Sequence, residues 1–170
     1  TSNIDAAVLD AATRLIEGGA VLAPIVEQSL NRRPFSLVKL WGLVLPTVRL
    51  EERVIWATVS RLQLDAAGHA GVDAKLSSFL VTVDEADMSA VFAEKIEDGQ
   101  AAVECSFRAK PGFNVSDLAF SFGGGGHPPA SGCTILGELE QVAAQVVPAL
   151  QQARRQQNLE AADMIRGQSA

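Results

Sequence analysis

The chain has 170 residues, of which 48% are hydrophobic and 20% charged, with a formal net charge of −6 and a pI near 4.9. A chain of this size removes roughly two-thirds of its extended surface from water on folding, so it can build a core, and this balance of residues excludes a disordered tail. The acidic charge and the lack of a basic stripe exclude a wide electrostatic grip on duplex nucleic acid, leaving a short anionic ligand held where a few cations converge.

Residues 4–17 place Ile4, Val8, Ala12, Leu15 and Ile16 at helical spacing, closed by Gly18-Gly19. A second helix is predicted over Pro24–Leu30, with Pro24 in its first turn. Phe35–Leu45 reads as a third, with Phe35, Val38, Trp41 and Leu45 apolar, and Pro46 ends it. The composition then shifts. Val54–Val59 is rich in β-branched and aromatic residues and predicts a strand. Ala74–Val81 reads as a short helix. Met88–Ile96 and Ala101–Ala109 flank Glu97-Asp98-Gly99-Gln100, a hairpin signal. In the second arm Val103, Cys105 and Phe107 alternate with Glu104, Ser106 and Arg108. Asn114 is placed to cap a helix whose buried stripe is Val115, Leu118, Ala119 and Phe122. Gly123–Gly126 break it, and Gly132–Leu136 reads as a strand. Leu139, Val142, Val146, Leu150 and Ala153 mark a long closing helix containing Pro148. The tail beyond Gln156 is polar, although Leu159, Ala162 and Ile165 keep helical spacing. The expected fold is α/β, a mixed β-sheet with flanking helices, preceded by an all-helical segment.

Cys105 and Cys133 show no pairing pattern and are read as reduced and packed, in a cytoplasmic protein. No apolar run has the length of a membrane span, no signal peptide is visible, and the opening at Thr1 without methionine suggests an excised or processed chain. Glu51-Glu52, Asp84-Glu85 and Asp87 read as solvated turn charges, Arg32-Arg33 as a helix-surface pair, and His69 as exposed in a polar turn. Trp41 and Trp56 read as core or interface residues.

The segment with chemistry is Phe122-Gly-Gly-Gly-Gly-His127-Pro-Pro-Ala-Ser-Gly132. A glycine run exposes backbone N–H groups and can form a concave nest for an anion. His127 adds a donor or a proton carrier. No Gly-Lys-Ser/Thr follows, so this is not a P-loop, and it follows a helix rather than opening one, unlike a dinucleotide fingerprint. Arg108 and Lys110, at the end of a strand leading toward this loop, offer a guanidinium fork and a point charge for phosphate.

The run Gly-Gly-Gly-His127-x-x-Ala130-Ser131-Gly132 resembles the signature of the DHH-associated (DHHA) domain of DHH/RecJ-like phosphoesterases. Upstream segments resemble the branch of oligoribonucleases and phosphoadenosine phosphatases, the NrnA type. These are Thr1-Ser2-Asn3 with the Ala-rich helix after it, Arg33-Pro34-Phe35-Ser36-x-x-Lys39-Leu40-x-Gly42, Val54-Ile55-Trp56 and Ser106-Phe107-Arg108-Ala109-Lys110. The likeness runs to about Gln152. It implies three regions: 1–46, the last helices of a DHH catalytic domain and its connector; 47–156, a DHHA substrate-binding domain; 157–170, a polar tail. It also implies that Gly124, Gly125, Gly126, His127 and Arg108 hold the substrate phosphate, with Lys110 and Ser131 as weaker candidates.

The family's metal site uses aspartates and histidines that include a DHH triplet. This sequence has only His69 and His127 as histidines, so no metal ligands and no catalytic residues are assigned here. The divalent metal, manganese or magnesium, is expected in a DHH domain that would be this chain's partner. The chain is expected to bind short single-stranded oligonucleotides or nucleotide phosphates and not to hydrolyse them, with no membrane partner. Three alternatives stand beside this reading: a self-contained enzyme using His127, a protein-interaction domain with a purely structural glycine loop, and a module of an exopolyphosphatase or cyclic-dinucleotide phosphodiesterase.

Overall fold

The computed structural model describes residues 4–69 and 75–167. The chain divides into two compact units, Thr1–Phe35 and Ser36–Ala170. The first holds helix α1 (Ala6–Glu17) and helix α2 (Leu22–Val26), which runs into a π-helical turn (Glu27–Asn31). Asp5 caps α1, its carboxylate accepting from the Val8 amide at 2.9 Å. Helix α2 starts two residues before the expected Pro24, which still sits in the first turn, where its missing N–H goes unneeded. Neither helix buries a residue, and Val8, Leu9, Leu15, Ile16, Leu22 and Ile25 are exposed. Thr1-Ser2-Asn3, part of the resemblance, lies outside the described residues.

The second unit is built on a six-stranded sheet in the order β1-β2-β3-β4-β6-β5. Its elements in chain order are α3 (Phe35–Val44), β1 (Arg49–Glu51), β2 (Val54–Val59), α4 (Arg61–Ala67), α5 (Leu76–Leu80), β3 (Met88–Glu97), β4 (Gln100–Ala109), α6 (Ser116–Ser121), β5 (Gly125–His127), β6 (Ala130–Leu136) and α7 (Leu139–Gly167). Strands β2 and β3 are parallel, joined by a crossover carrying α4 and α5; the other pairs are antiparallel. Val54–Ala57 and Met88–Ala93 are buried on both faces, which is why they read as unbroken apolar runs rather than alternating ones. The β3–β4 hairpin turns at Asp98 (φ 50°) and Gly99 (φ 79°), the two positive φ angles that a type I′ turn requires.

Two apolar layers cover the sheet unequally. On one face Trp56, Phe92, Val103, Phe107 and their neighbours pack under Val115 and Ala119 of α6 and Leu139, Val142, Val146 and Leu150 of α7. On the other, Ile55, Ala57, Val59, Val91 and Ala93 pack under Leu40 and Val44 of α3, Leu64 of α4, and Leu76 and Leu80 of α5. No described residue of β4, β5 or β6 joins this second layer. Beyond α5, which reaches Arg108 of β4 through Ser78, no apolar layer of described residues covers that half of the sheet face.

Several expectations change. Helix α3 turns Leu37, Leu40 and Val44 inward and leaves Phe35 and Val38 exposed, as is Leu45 just past its end; apart from Ser36, Lys39 and Gly42 its residues are apolar, so periodicity gave little to choose with. Strand β1 was not anticipated, so Val54–Val59 is second in the sheet. The second half of the glycine run is strand β5, and β6 begins two residues earlier than expected. Helix α7 continues past Gln156 to Gly167 with Pro148 inside it. Ala74, the expected first residue of α5, lies outside the described residues.

Asp87 is the clearest correction. Its carboxylate accepts from Arg53 Nε and Nη2, both at 2.9 Å, and from Arg154 Nε and Nη2 at 2.8 and 2.7 Å. Burial pushes this carboxyl up, but the hydrogen bonds and charges of the two guanidinium groups more than offset it and hold it below its ordinary value. Arg53 itself carries φ 62° in the β1–β2 turn, and its carbonyl accepts from the Asp87 amide at 2.7 Å. Glu52, also read as a solvated turn charge, is ion-paired to Arg155. No helix among the described residues is long and apolar enough to cross a membrane.

Candidate functional site

The open half-face places the site. In the sheet register Arg108 of β4 lies opposite Ala130 of β6, and Ala130 lies opposite His127 of β5. Directly opposed residues share a face, so Arg108, Ala130 and His127 form one row, with about 10 Å between its outer Cα atoms at two strand spacings. The next row is Ser106, Gly132 and Gly125. Between the Arg108 and His127 positions the row therefore carries only the Ala130 methyl group, so a ligand there can approach the backbone.

Arg108 is half-buried, its Nε donating to Ser78 Oγ of α5 at 3.2 Å and its Nη1 to the Phe107 carbonyl at 2.8 Å. These bonds aim the side chain without consuming Nη2. His127 is exposed at the sheet edge. The other sequence candidates are placed differently. Lys110 Nζ donates to the Val83 carbonyl at 2.7 Å and the Asp84 carbonyl at 3.3 Å, tying down the loop that enters β3. Ser131 alternates to the opposite face, is 6% exposed, and donates to the His127 carbonyl at 2.7 Å. It braces the hairpin that presents His127 rather than facing Arg108.

The glycines do not form a four-amide nest. The Gly123 and Gly124 amides end α6 by donating to the Phe120 and Ala119 carbonyls at 3.0 and 2.8 Å, and Gly125 and Gly126 pair with β6. β5 is the edge strand, so only the N–H groups on its far side lack a strand partner. The glycine requirement comes from close packing. A Cβ on Gly124 would lie 2.1 Å from the Gly132 carbonyl oxygen and 2.4 Å from Cys133 Cβ. Gly126 has φ 139°, and a Cβ there would lie 2.6 Å from the Ala130 carbonyl oxygen.

Asn114 caps α6 from two residues before it, Oδ1 accepting from the Ser116 amide at 2.7 Å. Two residues near the site were not picked out from sequence. Ser78 carried no signal, since a short helix does not show which neighbour its hydroxyl meets. Phe120 did carry one: it falls outside the Val115, Leu118, Ala119, Phe122 stripe and is 60% exposed.

Surface cavities lie elsewhere. One of about 310 Å³ between β1–β2 and α7 is lined by Arg49, Trp56, Thr58 and Glu140, among others. Another of about 430 Å³ includes Arg61, Asp65, His69, Glu94 and Lys95. Neither of these two is lined by Arg108 or His127. His69, expected to be exposed, is half-buried with Nδ1 3.1 Å from Ser36 Oγ. Among the described residues no group of three or more His, Cys, Asp or Glu is placed to hold a metal ion.

The DHHA1 domain matches residues 53–156. The bifunctional oligoribonuclease and PAP phosphatase NrnA of Thermus thermophilus is 32% identical over 152 residues, covering 89% of this chain and 45% of that protein. An exopolyphosphatase-related protein from Bacteroides fragilis shares the fold, with a TM-score of 0.75 at 19% identity over 91% of this chain and 45% of its own. The chain thus spans about half the length of these relatives.

Proposed function

The chain belongs to the DHHA1 domain family of DHH-type phosphoesterases, and we propose that it is the substrate-binding part of such an enzyme, gripping the phosphate of a short oligonucleotide or nucleotide phosphate between Arg108 and His127. The observation that carries this reading is the row Arg108–Ala130–His127 on the open half of the sheet, with a glycine floor beside it. An arginine at one end of the row and a histidine at the other offer a guanidinium and an imidazole to the same anion. Ser78 and Ser131 fix these two ends. The work of these residues is to orient the phosphate and offset its charge. The metal-dependent hydrolysis is assigned to a DHH domain facing the open face, with manganese or magnesium as the metal.

A second reading has its own observation. Gly124 and Gly126 are required by backbone packing alone, which would hold equally for a protein-interaction domain whose glycine hairpin is structural.

Calorimetric titration of the chain with a 5′-phosphorylated diadenylate at low salt separates the two. Binding is expected at about 0.1–1 mM, since only a few phosphate contacts are available. Arg108→Ala and His127→Ala are each expected to abolish it. Binding that survives both substitutions, or no binding by the wild type, sinks the phosphate reading and favours the second.

A further inference from the structure

Phe120 lies on the outward side of its helix. Helix α6 buries Ala119, with Val115 buried just ahead of it, and half-buries Leu118, with Phe122 half-buried just after it, while Phe120 keeps 60% of its surface exposed. A single exposed apolar residue is ordinary; the position of this one is not. A Cβ on Gly125 would lie 3.3 Å from Phe120 Cε1 and 3.9 Å from Cζ, so one edge of the ring rests against the β5 backbone and the rest is open. Gly125 ends the second row of the open face and precedes His127 by two residues, about 7 Å along the strand. That offset is comparable with the reach from a nucleotide's phosphate to its base.

We infer that Phe120 is the base platform of this site. With a phosphate between Arg108 and His127, the base of the same or the adjoining nucleotide stacks on the Phe120 ring. The inference rests on the phosphate-binding reading and narrows it: the site takes ligands that carry a base and discriminates against bare polyphosphate. Every base has a π-face, so the platform accepts any base and confers no sequence preference through hydrogen bonding.

The test titrates the 170-residue chain with a 5′-phosphorylated diadenylate and, separately, with inorganic tripolyphosphate. The wild type is compared with Phe120→Ala, Phe120→Trp and Arg108→Ala. Stacking of a base on an aromatic ring is worth about 1–3 kcal/mol, so Phe120→Ala is expected to weaken diadenylate binding by about 5- to 150-fold. Phe120→Trp retains or strengthens it. Tripolyphosphate binds the wild type more weakly than the diadenylate, and its binding is unchanged by Phe120→Ala and lost with Arg108→Ala; tripolyphosphate binding as tight as the diadenylate's overturns the platform. An unchanged diadenylate affinity in Phe120→Ala, or an equal loss for both ligands, overturns the platform and leaves the phosphate site standing. A wild type that binds neither ligand overturns the phosphate reading and the platform with it. Because Phe120 is exposed, its variants are expected to keep the wild-type melting temperature, and Phe120→Trp guards against a folding artefact.

Discussion

Replacing Asp87 with alanine removes a carboxylate that accepts four hydrogen bonds from two arginines. The side chains of Asp87 and Arg154 are 9% and 16% exposed, and that of Arg53 is 46% exposed. Breaking a buried ion pair costs about 3–5 kcal/mol, because the surviving charge stays desolvated. Arg154 meets that condition, with its guanidinium 5.9 Å from the centre of the Phe113 ring. Arg53 does not, since it can turn to water, so its share is the smaller one. The expected loss for Asp87→Ala is about 3 kcal/mol, read as a lower urea midpoint at an unchanged m-value. Arg53→Ala is expected to lower the midpoint by less than Asp87→Ala. The pH dependence has a definite sign. Asp87 is held below its ordinary value in the folded protein, so its contribution is present above the unfolded carboxyl range and is lost as pH falls through the folded value. The gap between wild type and Asp87→Ala should be flat from neutral pH to about pH 5 and close in more acidic solution. A loss of under about 1 kcal/mol at neutral pH would mean that Asp87 is the solvated turn charge its sequence context suggests.

Three further outcomes can be measured. Gly124→Ala drives a methyl group into the Gly132 backbone and is expected to cost about 3 kcal/mol or more in urea unfolding, whereas Gly125→Ala meets only the edge of the Phe120 ring at 3.3 Å and should cost under about 1 kcal/mol. Ser78→Ala releases Arg108 Nε and should weaken diadenylate binding by about 3-fold with no change in stability beyond about 0.5 kcal/mol; an unchanged affinity would show that Arg108 needs no such anchor. Cys105 and Cys133 face each other across β4 and β6, both buried; the hydrogen bond with Cys133, then burial, pushes the Cys105 thiol up, while the same bond lowers Cys133. A maleimide at pH 8 should therefore leave the native chain largely unlabelled, modify Cys133 before Cys105, and label both once the chain is unfolded, as followed by mass spectrometry.

Local signals located most of the second unit. The Asp98-Gly99 turn, the alternation along Val103–Arg108 and the apolar run at Val54–Val59 each depend on neighbours in the chain, and each appears where expected. The misreadings involve partners distant in sequence. Asp87 is 34 residues from Arg53 and 67 from Arg154, so nothing beside it announces the triad. Strand β1 has only three residues, all exposed, too short for a period-2 pattern to register. Helix α3 is mostly apolar, with Ser36, Lys39 and Gly42 the exceptions, and the sheet beneath it decides that Leu37, Leu40 and Val44 turn inward. In the candidate site the residue types were legible, but the face was not. Arg108 and His127 share a row through Ala130, while Ser131, next in sequence, points the other way. That follows from period-2 alternation once β6 is known to begin at Ala130, two residues before the glycine where the sequence seemed to start it.

The glycine run that makes this chain recognisable is the part least able to report what it binds. Gly124 and Gly126 sit where any Cβ would strike the backbone of β6. A sheet edge folded this closely needs them with or without a ligand. Arg108 and His127 are different. Neither side chain belongs to either apolar core, and the fold would close over smaller residues at both positions. A half-buried arginine held through two of its nitrogens by Ser78 and the Phe107 carbonyl, in the same row as an exposed histidine, costs side-chain entropy without adding to either core. The physical case for an anion site therefore rests on those two side chains, and the glycines set only how closely the anion can approach the sheet.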